Sequence, residues 1–485
     1  MTGNALLRRR RRAAAVLLSL LAASCSPAQV KGAKEPRAQG LEQQSGAPST
    51  APGATPSATG TPGAKKPGGK PGATAGPTYG PTAGPTGGPP GDKPPAPPKD
   101  APGDLDLFSG DLNTRGIHSD KIVLCAHAAL TYADAFQTKP EDFNVFWQDL
   151  NDRGGIHGRR VEMSYEDDAY DPIQARTAAT NCAAKNPFAI MGGIGFDQIP
   201  SVRQWAEEHR ELYIHHDAQE PDHAVNYSFS PIPTVEKLGA MFADLAKRQF
   251  AGKKIGVLYR ESDYWKPGFD AFKKKAQEYG LNLGLLVPVQ KNQANYGQQL
   301  LALQQDGTEV VWAWENALAA TEMINQSPPG FRPSWMVFPF NLTTQTLVSR
   351  TLDIYGIASW PAYSYHDYSG PFASYAADIK EFERQYARWR PNVDLSGPGG
   401  DLLFLNWVGQ KAMADILRTC GPACSRNHFA TLMTRYRGTV SPNCYADFPR
   451  FGGHLGSQAV NVFKTYTGPS GKLGWQPVHR CVEKL

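Results

Sequence analysis

Residues 161–196, VEMSYEDDAYDPIQARTAATNCAAKNPFAIMGGIGF, decide the fold of this chain. Residues 161–165 alternate apolar and polar side chains, the period of a strand with one buried face. The acidic turn Glu166-Asp167-Asp168 interrupts that period. Asp171 then stands directly before Pro172, the pattern of a helix start: the carboxylate accepts from free N–H groups of the first turn, and proline gives up an N–H that would have had no partner. The helix leads into the apolar run Phe188-Ala189-Ile190-Met191, a buried strand, which Gly192-Gly193 ends. Strand, helix, strand is a βαβ unit, so the sheet is expected to be parallel.

Just upstream, Phe143, Phe146, Trp147 and Leu150 recur at i, i+3, i+4 and i+7 on a preceding helix, and residues 151–155 with Gly158 turn the chain back into the strand. Read through, GGIHGRRVEMSYEDDAYDPIQA (residues 154–175) resembles the signature of extracytoplasmic solute-binding proteins of the leucine/isoleucine/valine-binding type. In that family a helix, a Gly-Gly-Ile/Val-x-Gly turn, a strand and a D-D-x-x-D-P helix start follow one another. The order of elements resembles the family over roughly residues 116–480, although only this segment is specific as a motif. The resemblance implies an α/β, two-lobed type I periplasmic-binding-protein fold, each lobe a parallel sheet covered by helices and joined to the other by a crossover hinge. It implies capture of a small molecule without covalent change, hence no enzyme and no cofactor.

The first hundred or so residues are expected to stay out of the packed core. Arg8 to Arg12 form a basic region, residues 13–23 an apolar one, and Ser24-Cys25 a cleavage point, which together read as an export signal. Ala22-Ala23-Ser24-Cys25 resembles a bacterial lipobox, with Ala22 where Leu is usual, and this makes Cys25 the expected lipidation site. Residues 26–102 are Pro, Gly, Ala, Thr and Ser with scattered lysines; such a segment buries too little surface to offset its ordering entropy and reads as a tether. The division expected is signal and lipidation site at 1–25, linker at 26–107, lobe 1 at 108–232 plus 366–435, and lobe 2 at 233–365 plus 436–485. The protein is thus expected outside the cytoplasm, as a bacterial lipoprotein held at the cell membrane by its lipid alone, and as a monomer.

The net charge of +5 is carried largely by signal and linker, and no basic stripe follows, so nucleic acid is not an expected partner. Beyond the signal, no apolar run reaches the about eighteen residues of a membrane span. Setting Cys25 aside leaves Cys125, Cys182, Cys420, Cys424, Cys444 and Cys481, an even set in a compartment that permits disulfides. Of the fifteen pairings open to six cysteines, the reading favours Cys125 with Cys182, joining the first strand to the helix packed on it, then Cys420 with Cys424 and Cys444 with Cys481. A metal site is the rival reading for Cys420-x-x-x-Cys424, and no second close Cys pair stands near it.

Strands are expected at 122–126, 161–165, 188–191 and 212–215, and a second set at 254–259, 283–287, 310–314 and 334–338 with helices between. The resemblance implies that the helices near 372–389 and 402–417 return to the first lobe. Ligands of open parallel sheets sit beyond the carboxyl ends of the strands. That selects His127, Phe136, Phe196, Asp197, Asp217, Gln219, Tyr264, Trp314, Glu315 and Phe340 as candidate ligand-binding residues. In amino-acid-binding relatives the matching positions carry a hydroxyl residue, a small residue with Thr, and an acid; here they are Phe196, Asp217, Gln219 and Phe340. Phenylalanine can neither balance an ammonium ion nor donate to a carboxylate, so aliphatic α-amino acids are expected to be poor ligands. The aromatic and carboxylate mixture suits a ring-bearing or cationic ligand, although Trp312 and Trp314, two apart on one strand, fit the core equally well. Two functions stay open: a receptor that delivers a small organic ligand to an ABC permease, or a sensor or scaffold that binds an envelope protein.

Overall fold

The computed structural model describes residues 95–133, 138–193, 195–215, 225–291, 293–338, 353–359, 363, 370–396, 399–439, 444–467 and 473–485. Its first sheet has the order β2-β1-β3-β4-β5, all parallel, from β1 (Lys121–Ala128), β2 (Arg160–Asp167), β3 (Ala189–Gly192), β4 (Tyr213–Ile214) and β5 (Ser228–Phe229). The βαβ unit is formed as expected. Asp171 caps the helix Pro172–Ala184 by accepting from the N–H groups of Ile173 and Gln174, each at 2.9 Å. Cys125 on β1 is bonded to Cys182 on that helix, and the pairs Cys420–Cys424 and Cys444–Cys481 are joined as well.

The acidic turn is a second capping device. Asp167 accepts from the N–H groups of Leu130 at 3.0 Å and Ala169 at 2.9 Å and from the Thr131 hydroxyl, so it ties the loop after β1 to the end of β2.

The second sheet has the order β14-β13-β10-β9-β8-β6-β7, from β6 (Ile255–Arg260), β7 (Leu283–Val289), β8 (Val310–Trp314), β9 (Ser334–Val337), β10 (Ile354–Ala358), β13 (Val460–Thr467) and β14 (Leu473–Val482). β6 to β10 are parallel, while β13 and β14 run antiparallel at the edge. This hairpin escapes a reading by period: register shifts between Val460, Val462 and Phe463 break the alternation that would announce a strand. A small antiparallel pair, β11 (Arg437–Thr439) with β12 (Tyr445–Asp447), lies apart from both sheets.

Helices Val235–Gln249 and Trp265–Glu278 cover one face of this sheet and touch through glycines. A Cβ on Gly239 would lie 1.9 Å from the Gly268 carbonyl oxygen, and one on Gly268 would lie 2.2 Å from Cζ2 of Trp314. Two backbones can approach this closely only without side chains between them.

The chain returns to the first sheet through helices Ala376–Trp389 and Gly399–Cys420. Arg384 Nη2 meets Asp149 Oδ2 at 2.9 Å, Arg390 meets Asp142 at 2.7 Å, and Gln410 donates to the Phe143 carbonyl at 2.6 Å. Where the chain passes between sheets, Ser230 N–H donates to the His454 carbonyl at 2.9 Å and Gly456 N–H to the Ser230 carbonyl at 2.7 Å, so two crossing segments run side by side as a hinge.

Residues 95–107, read from composition as the end of the linker, lie along the helix Arg426–Arg435. Arg159 donates to the Ala96 carbonyl at 2.7 Å and Lys99 N–H to the Ala423 carbonyl at 3.0 Å. Asn427 accepts from Leu107 N–H at 3.0 Å, and Asp104 meets His428 at 3.0 Å. Composition cannot reveal such partners, because they lie far away in sequence, 63 positions for Arg159 with Ala96 and 320 for Asn427 with Leu107.

Acid should loosen these ties. Burial alone would raise the Asp149 carboxyl, yet hydrogen bonds from Arg384 and Trp389 and the charge of Arg153 hold it below its ordinary 3.8. Burial acts the same way on Asp167 and is outweighed by the Thr131 hydroxyl and the loop N–H groups. A depressed folded-state pKa stabilises above the unfolded value and loses that contribution as pH falls through the folded one. Unfolding midpoints measured across pH are therefore expected to be flat from neutrality to about 5 and to drop below about 4. Asp149→Asn should flatten part of that drop.

Candidate functional site

The strand-end loops of the two sheets meet. The loop after β3 carries Phe196 and Asp197 from lobe 1 into a socket on lobe 2. Phe196 stacks on Tyr264 at 5.6 Å and on Phe338 at 6.1 Å between ring centroids, and meets the edge of Trp265 at 5.7 Å. Asp197, 5% exposed, forms an ion pair with Arg260 at the end of β6. It also accepts from the Trp265 indole N–H at 2.9 Å and the Ser262 hydroxyl at 3.4 Å, and Lys291 stands at 4.0 Å.

Arg260, 4% exposed, turns its other edge to Glu315 at 3.0 Å. Burial pushes the Glu315 carboxyl above its usual range, opposed by the Arg260 guanidinium and by Asn316. Asn316 donates to the same Oε1 from its backbone at 3.0 Å and from its amide at 2.6 Å, while Oε2 is buried with no hydrogen-bond partner among the described residues.

Tyrosines line this charged centre. Tyr132 from lobe 1 stacks on Tyr170 at 4.8 Å, and Lys291 lies 4.6 Å over the Tyr170 ring while donating to the Tyr170 carbonyl. Burial and the Glu315 charge push the phenols of Tyr132 and Tyr296 up to about 12 each. Burial, then Arg260, pulls Lys291 down. A groove of about 740 Å³ opens from the centre, lined by Asp171, Asp197, Arg203, Arg260, Ser262 and Lys291 among others.

The sequence-derived candidates fall into groups. Phe196, Asp197, Tyr264 and Glu315 are gathered at the interlobe contact. His127 lies in lobe 1, fully buried, with Nδ1 at 2.8 Å from Asp168 and Nε2 at 2.7 Å from the Tyr213 hydroxyl. Gln198 donates to the same Asp168 at 2.9 Å, so His127 belongs to a polar chain beneath the loop that carries Phe196 and Asp197. Trp314 is wholly buried under the helix pair, its indole donating to the Trp265 carbonyl at 2.6 Å, which is the core position that its spacing from Trp312 also allowed. Phe136, Asp217, Gln219, Phe340 and Cys25 lie outside the described residues.

Arg260 and Lys291 were missed. Both stand at the carboxyl end of a strand, β6 and β7, so the rule that found Glu315 after β8 would have found them. Among the described residues no group of three or more His, Cys, Asp or Glu is placed to hold a metal ion, and no helix is long and apolar enough to cross a membrane.

Three comparisons bear on this geometry. A profile of the family described as periplasmic binding protein matches residues 132–435. A Leu/Ile/Val-binding protein homolog 1 of Brucella abortus is 24% identical over 168 residues, a match spanning 34% of this chain and 45% of the relative, thus under half of its length. Among solved structures, a fatty acid ABC transporter substrate-binding protein from Thermomonospora curvata superposes with a TM-score of 0.59 at 16% identity, covering 76% of this chain and 94% of its own. An ABC transporter solute-binding protein from Rhodopseudomonas palustris in complex with 3,4-dihydroxybenzoic acid does so with a TM-score of 0.58 at 13% identity, covering 75% and 98%. At these identities the structural likenesses speak for the fold alone.

Proposed function

The chain belongs to the periplasmic binding protein family, and from that premise we propose that it is an extracytoplasmic receptor which closes two lobes on a small organic solute and delivers it to an ABC importer. The observation that carries this reading is the contact of the two sheets' carboxyl-end loops around Arg260, with the Ser230 and Leu455 segments as a hinge behind them. Closing such a cleft removes water from whatever lies in it, so a few well-placed polar groups discriminate strongly. The solutes named for the structural neighbours, a fatty acid and a dihydroxybenzoic acid, differ enough that the fold does not select one. Lipidation at Cys25, with the Pro/Gly-rich segment after it as a tether, belongs to the same proposal and would hold the receptor at the outer face of the membrane.

Aliphatic amino acids are poor candidates. The Phe196 ring is engaged by Tyr264, Trp265 and Phe338, and offers no donor to a carboxylate. A thermal-shift screen against amino acids, amides, sugars, polyamines and aromatic compounds tests the function. Leucine and valine are expected to leave the midpoint where it is, while a true ligand at about a hundredfold excess over its Kd adds about 2.7 kcal/mol. Silence from every class of solute would sink the receptor reading; a clear response to leucine would sink only the assignment of ligand class.

A further inference from the structure

We propose that Asp197 is a built-in substitute for a ligand carboxylate, and that the cleft it helps to close selects neutral or cationic ring-bearing solutes against anionic ones. This rests on the receptor reading above and names the ligand class of that site.

The charges at the centre of the cleft are already paired, with Asp171 and Arg203 farther out along the groove. Arg260 gives one edge to Asp197 and the other to Glu315, and Lys291 is shared between Asp197 and the Tyr170 carbonyl. Two cations thus face two carboxylates, and both terminal nitrogens of the guanidinium are engaged, Nη2 by Asp197 and Nη1 by Glu315, which leaves no terminal pair for a bidentate anion. Asp197 is also the favoured occupant of its place. It stands just ahead of the helix Ile199–His209 and accepts from Ser262 and Trp265 at the start of the helix Trp265–Glu278, so two helix N-termini lie close to its charge.

A free carboxylate would have to displace this group, and the contest is unequal. Asp197 is attached to lobe 1 and arrives with Phe196, which fills the aromatic socket beside it. A tethered group acts at an effective concentration of about millimolar or more, well above that of a scarce solute. Were Asp197 to stay, an incoming anion would be a third carboxylate near Arg260 in a water-poor site, where like charges repel by several kcal/mol.

The same geometry offers something to a donor. Glu315 Oε2 is buried, 1% exposed as a residue, and has no hydrogen-bond partner among the described residues. The Tyr170 ring, stacked on Tyr132, lies 5.7 Å from the Arg260 guanidinium carbon, and Tyr296 is close enough to feel the Glu315 charge. An acceptor oxygen among aromatic rings suits an amide N–H or an ammonium group carried on a ring.

The test uses the full chain and three probes of like shape, benzoate, benzamide and benzylamine, with binding measured by calorimetry at neutral pH. The wild type is expected to hold benzamide or benzylamine at least about tenfold more tightly than benzoate, and D197N, which keeps the acceptor oxygen but not the charge, is expected to erase or reverse that ratio. Benzoate bound as tightly as the better of the other two by the wild type overturns the inference and leaves the receptor reading standing. An unchanged ratio in D197N overturns it too. Silence of all three probes likewise overturns it, and the receptor reading falls with it only if the wider solute screen is silent as well. Should D197N fail to fold, the wild-type ratio decides alone.

Discussion

Replacing Glu211 by alanine is expected to lower the free energy of unfolding by about 3–5 kcal/mol. Glu211 is 6% exposed and serves two guanidinium groups at once: Arg115, and Arg426 at 2.9 Å. Arg426 is wholly buried, lies 3.9 Å over the Phe108 ring and donates to the Leu112 carbonyl at 3.1 Å. Burial, with the charge of Arg115 adding to it, pulls the Arg426 pKa down to about 10, and Glu211 acts the other way. Without the carboxylate, two like charges stay in a dry site with no counterion, and this penalty exceeds the worth of the lost contacts. Denaturant unfolding of E211A and E211Q should both show the loss, because the glutamine keeps the shape and not the charge. Glutamine matching the wild type would mean that shape alone matters there.

Trp314→Ala is expected to destabilise by about 3–5 kcal/mol. The ring touches Trp312 at 4.8 Å, Phe338 at 5.0 Å and Trp265 at 5.2 Å between centroids, and it packs against Gly268 in the covering helix. Removing it leaves a cavity that the rigid glycine contact between the two helices cannot collapse to fill, and it takes the indole donor away from the Trp265 carbonyl. Trp314→Phe should recover most of the packing and none of the hydrogen bond, and so fall between. A ligand-facing residue would behave differently: its removal would weaken solute binding and spare the unfolding midpoint.

Much of the fold was legible because the motifs are local. Asp171-Pro172 starts a helix whatever surrounds it, and the parallel strands, buried on both faces, declare themselves as continuous apolar runs at 188–191 and 310–314. The β13–β14 hairpin was not legible, since its bulge disrupts the alternation that marks an edge strand. At the site, strand-end position was enough to pick out Phe196, Asp197 and Glu315. It could not separate Trp314, which the strand's pleat turns toward the helices, nor show that Asp197 would meet Arg260, because that contact depends on how two sheets face each other. The positions matched to the amino-acid binders at Asp217, Gln219 and Phe340 lie outside the described residues, so the specificity proposed rests on Asp197, Arg260 and Glu315.

The strap at residues 95–107 has a mechanical consequence. Its partners, Arg159, Ala423, Asn427 and His428, all precede or flank elements packed on the first sheet, and Arg159 lies at the amino end of β2, away from the loops that meet lobe 2. Were the chain held from its N-terminal side, as the proposed anchoring has it, the load would enter one half of the molecule at its far end. The other half is joined to it by the hinge and by the Phe196 and Asp197 contacts, and neither of these lies on the path of that load.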